Sequence, residues 1–199
     1  MPSGKTHDRI TLWSLPFVTG MTFVWTRSGN LTLLVAGGFM FGGLMFGPDL
    51  DIYSVQFQRW GVVRWIWLPY QKSLRHRSFL SHGPIIGTML RVVYLLVLLL
   101  VVGVLLLVVG TKLGNVSLNW GDLGLGVGRS LSVYSREFLA LFVGCELGAM
   151  SHYLSDWGGS AYKRFQKQGI RGLLPHGKVK KTKVTRSKGS SRTRKNIKE

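Results

Sequence analysis

The sequence predicts an all-α protein: a polytopic membrane helical bundle of about four transmembrane helices, with an interfacial segment and a disordered basic tail. Three observations lead there. Apolar residues come in long blocks without polar alternation, Lys and Arg concentrate at block ends, and the C-terminal stretch has almost nothing to bury.

The clearest block is residues 92–110, VVYLLVLLLVVGVLLLVVG, an apolar run of 19. A hydrocarbon core about 30 Å thick needs roughly 20 residues at about 1.5 Å rise each, so this run predicts a spanning helix. Residues 10–26, 31–47 and 137–154 are weaker blocks of similar length. Lys5 and Arg9 before the first block resemble the start of a secretory signal. No small-x-small cleavage site follows and Pro16 interrupts the core, so an uncleaved anchor is expected.

The net charge of +18 is uneven. Residues 157–199 hold fourteen Lys/Arg against Glu199 alone, and from Gly177 onward the composition cannot bury enough surface to fold. The expected division is therefore a membrane-embedded domain at 1–160 and a basic, mostly disordered tail at 161–199. Lys5 and Arg9, then Arg59, Arg64, Lys72, Arg75 and Arg77, then the tail mark one side of the bundle; by the positive-inside rule both termini are cytoplasmic.

Small-xxx-small pairs, Gly38/Gly42 and Gly43/Gly47 in the second block and Gly144/Gly148 in the fourth, suit close helix packing, although glycine is common in membrane helices anyway. Between the second and third helices, VQFQRWGVVRWIWLPYQK places Trp60, Trp65, Trp67 and Tyr70 among basic residues, the pattern of a segment lying in the headgroup layer. The Gly-rich loop 111–136 suggests no function.

Cys145 is the single cysteine, which excludes an intramolecular disulfide and a Cys-based zinc site, so any metal must be held by imidazole and carboxylate. Those groups fall in a pattern. His7 and Asp8 precede the first helix, Asp49 and Asp51 close the second in GPDLD, His76 and His82 precede the third in KSLRHRSFLSHGP, and His152 and Asp156 end the fourth. In an up-and-down bundle, starts of odd helices and ends of even helices share one face, so all eight converge at the cytoplasmic end.

Each piece has a plainer reading. HDR is also what a helix N-terminus looks like, Asp49 after Pro48 also closes a turn, and His152 with Asp156 is also a surface i,i+4 pair. His76 and His82 also suit a polar interfacial loop. Four separate explanations for one membrane face are less economical than one metal site. Eight groups exceed a single tetrahedral ion, so one or two divalent ions (Zn, Mn or Fe) are expected, with spare carboxylates orienting histidines. Arg91 and Glu146 lie inside predicted spans at comparable depth below this face, and an ionisable group there needs a partner; they are expected to pair.

The order HD, GPDLDI, LRHRSFLSHG, SHYLSD resembles a bacterial family of uncharacterised metal-binding membrane proteins and is distantly similar to the predicted membrane-bound metal-dependent hydrolases. The likeness covers roughly residues 3–160, and HRSFLSHG is its most specific part. It implies metal binding, with hydrolysis a prediction within the family, and the ligands His7, Asp8, Asp49, Asp51, His76, His82, His152 and Asp156; the expected location is a bacterial inner membrane, or an internal one such as the thylakoid.

Three functions compete. A metal-dependent hydrolase at the cytoplasmic face would use Asp8 or Asp51 as general base, with Arg75, Arg77, Ser78 and Ser81 suiting an anionic substrate such as a phosphoester or lipid headgroup. A non-catalytic metal-binding or metal-handling protein would need only the ligands. A membrane tether would use the tail to hold anionic lipid or nucleic acid non-specifically.

Overall fold

The first two apolar blocks fold as α1 (Gly4–Thr26) and α2 (Gly29–Leu44) of the computed structural model, which describes residues 4–76, 78–114 and 119–169. Arg27 turns the chain between them with a left-handed φ of 50°, and Ser28 caps α2 by accepting from the Leu31 amide. After a 3-10 turn at Pro48–Asp51 come α3 (Val55–Gln58), a 3-10 stretch at Gly61–Trp67, α4 (Leu68–Ser73) and α5 (Phe79–His82). The long helices α6 (Ile86–Gly114) and α8 (Ser135–Gln168) flank α7 (Trp120–Val133). No strand occurs among the described residues.

Helices α2 and α8 share the largest interface, and they meet backbone to backbone. A Cβ on Gly38 would lie 2.5 Å from the Leu141 carbonyl oxygen. One on Gly42 would run into the Cys145 carbonyl, one on Gly144 into that of Val35, and one on Gly148 into that of Phe39. Gly43 receives the Thr11 side chain of α1, and Gly47 receives Gln56, whose Nε2 donates to the Gly43 carbonyl at 2.9 Å. All three glycine pairs read from the sequence therefore stand at close contacts.

Below the α2 terminus an aromatic core forms from Phe46, Leu50, Phe57, Trp67 and Tyr70, with Leu50 and Trp67 fully buried. The burial of Trp67 and Tyr70 departs from the headgroup placement expected of the whole aromatic segment. Trp65 is exposed, but Trp67 packs edge-on against Phe46 and Trp60 at centroid distances of 5.6 and 5.1 Å, and Trp60 donates from Nε1 to the Met45 carbonyl. Phe46 and Leu50 offer an apolar recess, and an indole placed there is removed from water entirely.

Two helices, α6 and α8, are long and apolar enough to cross a membrane; α2 is apolar but has 16 residues. No residue of the apolar core of α6 is buried in the described protein, although Val92, Tyr94 and Leu95 pack against the aromatic core. Four spans are thus an expectation that exceeds what helix length and hydropathy establish.

Loop 111–136 also differs from expectation, because it contains α7. Asn119 caps that helix by accepting from the Gly121 and Asp122 amides, and Asp122 stands in the first turn, favourable to the helix dipole. Trp120, Leu123, Val127 and Leu131 share one helical stripe, a period that outweighs the interspersed glycines. Helix α8 continues to Gln168, past the expected boundary at residue 160. The part of the tail expected to be disordered lies outside the described residues.

Replacing Gly144 by Leu is expected to lose about 1–3 kcal/mol of stability or more, since backbone rather than side chain must move. Gly37→Leu, where an added Cβ meets nothing within 4 Å, is expected to unfold with wild type. Thermal unfolding of both variants in detergent checks the contrast.

Candidate metal centre

Helix α1 brings His7 against α8, where His152 and Asp156 stand about one turn apart on the same face. One ligand atom from each of the three lies within 4.8 Å of the others. His7 Nε2 is 3.3 Å from Asp156 Oδ1, and the two imidazoles stack with centroids 3.9 Å apart. Both histidines are buried. Burial and the neighbouring His152 lower the pKa of His7, against the opposite pull of Asp156, Asp49 and Asp8. That shift favours the neutral imidazole, the form in which histidine binds a metal.

A second triad joins Asp49, His76 and His82 on the same 4.8 Å criterion. Asp49 comes from the 3-10 turn that Leu50 anchors in the aromatic core, His76 from the link between α4 and α5, and His82 from the last position of α5. The rings of His76 and His82 stand edge to face at 5.1 Å.

Asp49, a member of the second triad, also reaches the first. Its Oδ2 lies 3.2 Å from His152 Nε2 and its Oδ1 3.7 Å from His82 Nε2, so the carboxylate stretches between the triads. Burial raises the Asp49 pKa, but the facing His152 and His82 outweigh it and hold the carboxyl below the ordinary carboxylate range.

Hydrogen bonds behind the rings set their tautomers. Asp51, buried, accepts from His76 Nδ1 at 2.9 Å and also from the Ser81 hydroxyl. Since the Ser81 proton is committed to Asp51, its oxygen accepts from His82 Nδ1 at 2.8 Å. Ser155 donates to the His152 carbonyl at 2.8 Å and so accepts from His7 Nδ1. In all three histidines Nδ1 donates and Nε2 is the nitrogen left to face a ligand, the arrangement by which carboxylates and hydroxyls orient metal-ligating imidazoles.

His152 supplies the test of fit. Its Nε2 and Asp156 Oδ1 are buried and approach other ligand-type atoms closely, yet neither has a hydrogen-bond partner among the described residues. Buried polar atoms left so are disfavoured. A divalent cation between these donors would satisfy them, and imidazole with carboxylate is a donor set that zinc, manganese and iron accept.

The structure thus brings seven of the eight expected residues together: His7, Asp49, His76, His82, His152 and Asp156 in the triads, and Asp51 behind them. Asp8 stands apart from both triads. Arg59 takes both its oxygens, with Nη1 donating to Oδ1 at 3.0 Å and Nη2 to Oδ2, and also caps the Leu44 carbonyl at 2.7 Å. Asp8 and Arg59 nevertheless wall a cavity of about 150 Å³ that also reaches His7, Asp49, His152 and Asp156.

Ser81, expected near an anionic substrate, is fully buried and serves Asp51 and His82 instead. Ser78 caps α5 at the Ser81 amide, Arg75 is exposed, and Arg77 lies outside the described residues. Sequence reasoning missed Ser155 and Arg59. The available signals were Ser155 three residues beyond His152 and an arginine among the aromatics following GPDLD.

This geometry meets an independent finding. Residues 2–166 match the family described as "Uncharacterized metal-binding protein (DUF2227)". The chain belongs to that family. The match covers every residue of both triads, and Asp8 and Asp51 as well. An uncharacterized protein of Aquifex aeolicus (strain VF5) is 36% identical over 59 residues, 29% of this chain and 41% of that relative's length. This chain therefore spans less than half the length of the relative it matches. No solved structure matches it.

Asp51→Asn removes the charge that orients His76 and Ser81 without removing a triad member. Metal affinity is expected to fall about 10–100-fold, the range for orienting partners of ligands. Competition against a chromophoric chelator measures it.

Proposed function

We propose that this protein is a membrane-embedded metal-dependent hydrolase acting at the cytoplasmic face, with two divalent ions that share Asp49, on an anionic ester such as a phosphoester. The observation that carries the reading is the cavity of about 150 Å³, because it runs along the His7–His152–Asp156 triad and Asp49 on one side and Arg59 with Asp8 on the other. Such a cavity holds a water from roughly 10–15 Å³ upward, so the space admits several waters or one small tetrahedral group.

Bound ions would polarise the scissile group and supply an acidified water at neutral pH. The chain's own residues do the rest in this reading. His7, His152 and Asp156 would hold one ion and Asp49, His76 and His82 the other. Asp51, through His76 and Ser81, keeps the histidines in the ligating tautomer. Arg59 meets an anionic group with a planar fork of donors. Asp8, released from Arg59 as the substrate enters, is the carboxylate placed to accept a proton.

A membrane setting is part of the proposal, with both termini cytoplasmic in a bacterial inner membrane or an internal one. The bare apolar surface of α6 supports it, since such a helix suits lipid and not water. The tail's fourteen cations would add salt-dependent attraction to anionic lipid or nucleic acid.

One observation favours a non-catalytic, metal-holding protein instead: both Asp8 oxygens are taken by Arg59, so the cavity's remaining carboxylates, Asp49 and Asp156, are those assigned to the metal. The two readings separate on the purified full-length chain. Wild type is expected to hold two ions, His7→Ala/His152→Ala and His76→Ala/His82→Ala about one each, and Asp49→Ala fewer than either double variant, by elemental analysis. Metal-dependent release of phosphate or headgroup from an ester panel supports the hydrolase. Full metal content with no turnover of any ester leaves the metal-holding reading. Within an active protein, Arg59→Ala is expected to raise KM for anionic substrates about tenfold or more with metal content unchanged.

A further inference from the structure

The turn that carries His82 is gripped at each end by a buried charge. Arg91 of α6, 1% exposed, donates from Nη1 to the Ser81 carbonyl at 3.1 Å and from Nη2 to Thr88 Oγ1 at 2.8 Å. At the other end Glu146 of α8, 8% exposed, accepts from the Ile85 amide at 2.8 Å through Oε1. These contacts replace the ion pair expected from the sequence. Arg91 and Glu146 form no salt bridge, because each is engaged with the backbone of the same turn.

Ile85 shows why the turn must be held. Its φ is 64°, in the left-handed region, where a β-branched residue is out of place and persists only under constraint from its surroundings. Its side chain is 57% exposed, so packing supplies little of that constraint. The Glu146 hydrogen bond falls on its own amide. The start of α6 is also fitted to the turn, since a Cβ on Gly87 would lie 2.7 Å from the Ser81 carbonyl oxygen that Arg91 holds.

Arg91 and Glu146 both line a small cavity of about 20 Å³ that His82 also lines, a space that suits a single water. Arg91 Nε and Glu146 Oε2 are each buried without a hydrogen-bond partner among the described residues.

We propose that Arg91 and Glu146 are positioning residues that clamp the Ser81–Ile85 turn and set the reach of His82 toward Asp49. This rests on the metal reading above and adds to it a device that selects one ion position over the other. With the clamp intact, His82 Nε2 faces Asp49 Oδ1, and Ser81 keeps its hydroxyl between Asp51 and His82. With Glu146 gone, Ile85 relaxes toward negative φ and the turn carries His82 away. The His7–His152–Asp156 triad, built on α1 and α8, stays as it is.

The test uses the purified full-length protein loaded with Co(II), read by metal content, affinity and the visible ligand-field spectrum. Glu146→Leu is expected to weaken one of two ions about 10–100-fold, with a changed spectrum, while the other remains. Glu146→Gln, which keeps an acceptor for the Ile85 amide, is expected to stay close to wild type. Ile85→Gly in the Glu146→Leu background is expected to recover much of the lost affinity, since glycine accepts the left-handed conformation unaided. Arg91→Met is expected to weaken the same ion as Glu146→Leu. Both ions held by Glu146→Leu with wild-type affinity and spectrum, equal loss of both ions, or no recovery on adding Ile85→Gly would each overturn the clamp. Wild type holding two ions while Glu146→Leu is unaltered overturns the clamp alone; wild type holding none overturns the metal reading with it.

Discussion

The contact on which the rest of the structure depends is the one between α2 and α8, where Gly38, Gly42, Gly144 and Gly148 let two backbones touch. It fixes the distance between the turn after α2 and the face of α8 one helical turn beyond Gly148. Asp49 therefore arrives beside His152, and α1, seated against α2 through Thr11 and Gly43, brings His7 to the same place. Side chains at those glycines would hold the helices apart, and the ligand atoms would no longer share a position within a few ångströms.

A second constraint comes from below. Phe46, Leu50 and Trp67 remove the turn's apolar side from solvent, leaving Asp49 and Asp51 directed at histidines rather than at water. The polar layer behind the rings is continuous: Asp51 to His76, Asp51 to Ser81, Ser81 to His82, and Arg91 to the Ser81 carbonyl. Such a layer is stabilising only when its members are satisfied. The atoms left over at the centre, His152 Nε2 and Asp156 Oδ1, are those that a cation would take.

Much of this was legible in the chain. The four long helices fall on the four apolar blocks, and the convergence of His and Asp residues follows from helix parity. Periodicity and block length report which segments are helical because they are local properties. The inward turn of Trp67, the engagement of Asp8 by Arg59 and the separate duties of Arg91 and Glu146 were not legible. Each depends on which partner a side chain meets across the fold, and a tryptophan or an arginine reads the same at an interface or in a core.

The sequence by itself determined an all-helical chain with imidazoles and carboxylates gathered at one end, because apolar block length and the order of helix ends are written along the chain. Only the tertiary structure decided that these groups divide into two triads joined by Asp49, with Asp51, Ser81 and Ser155 behind them. That division arises where α1, α8 and the turn after α2 meet. Whether a carboxylate ligates, orients or pairs with an arginine is set by distances of a few ångströms that no spacing along the chain contains.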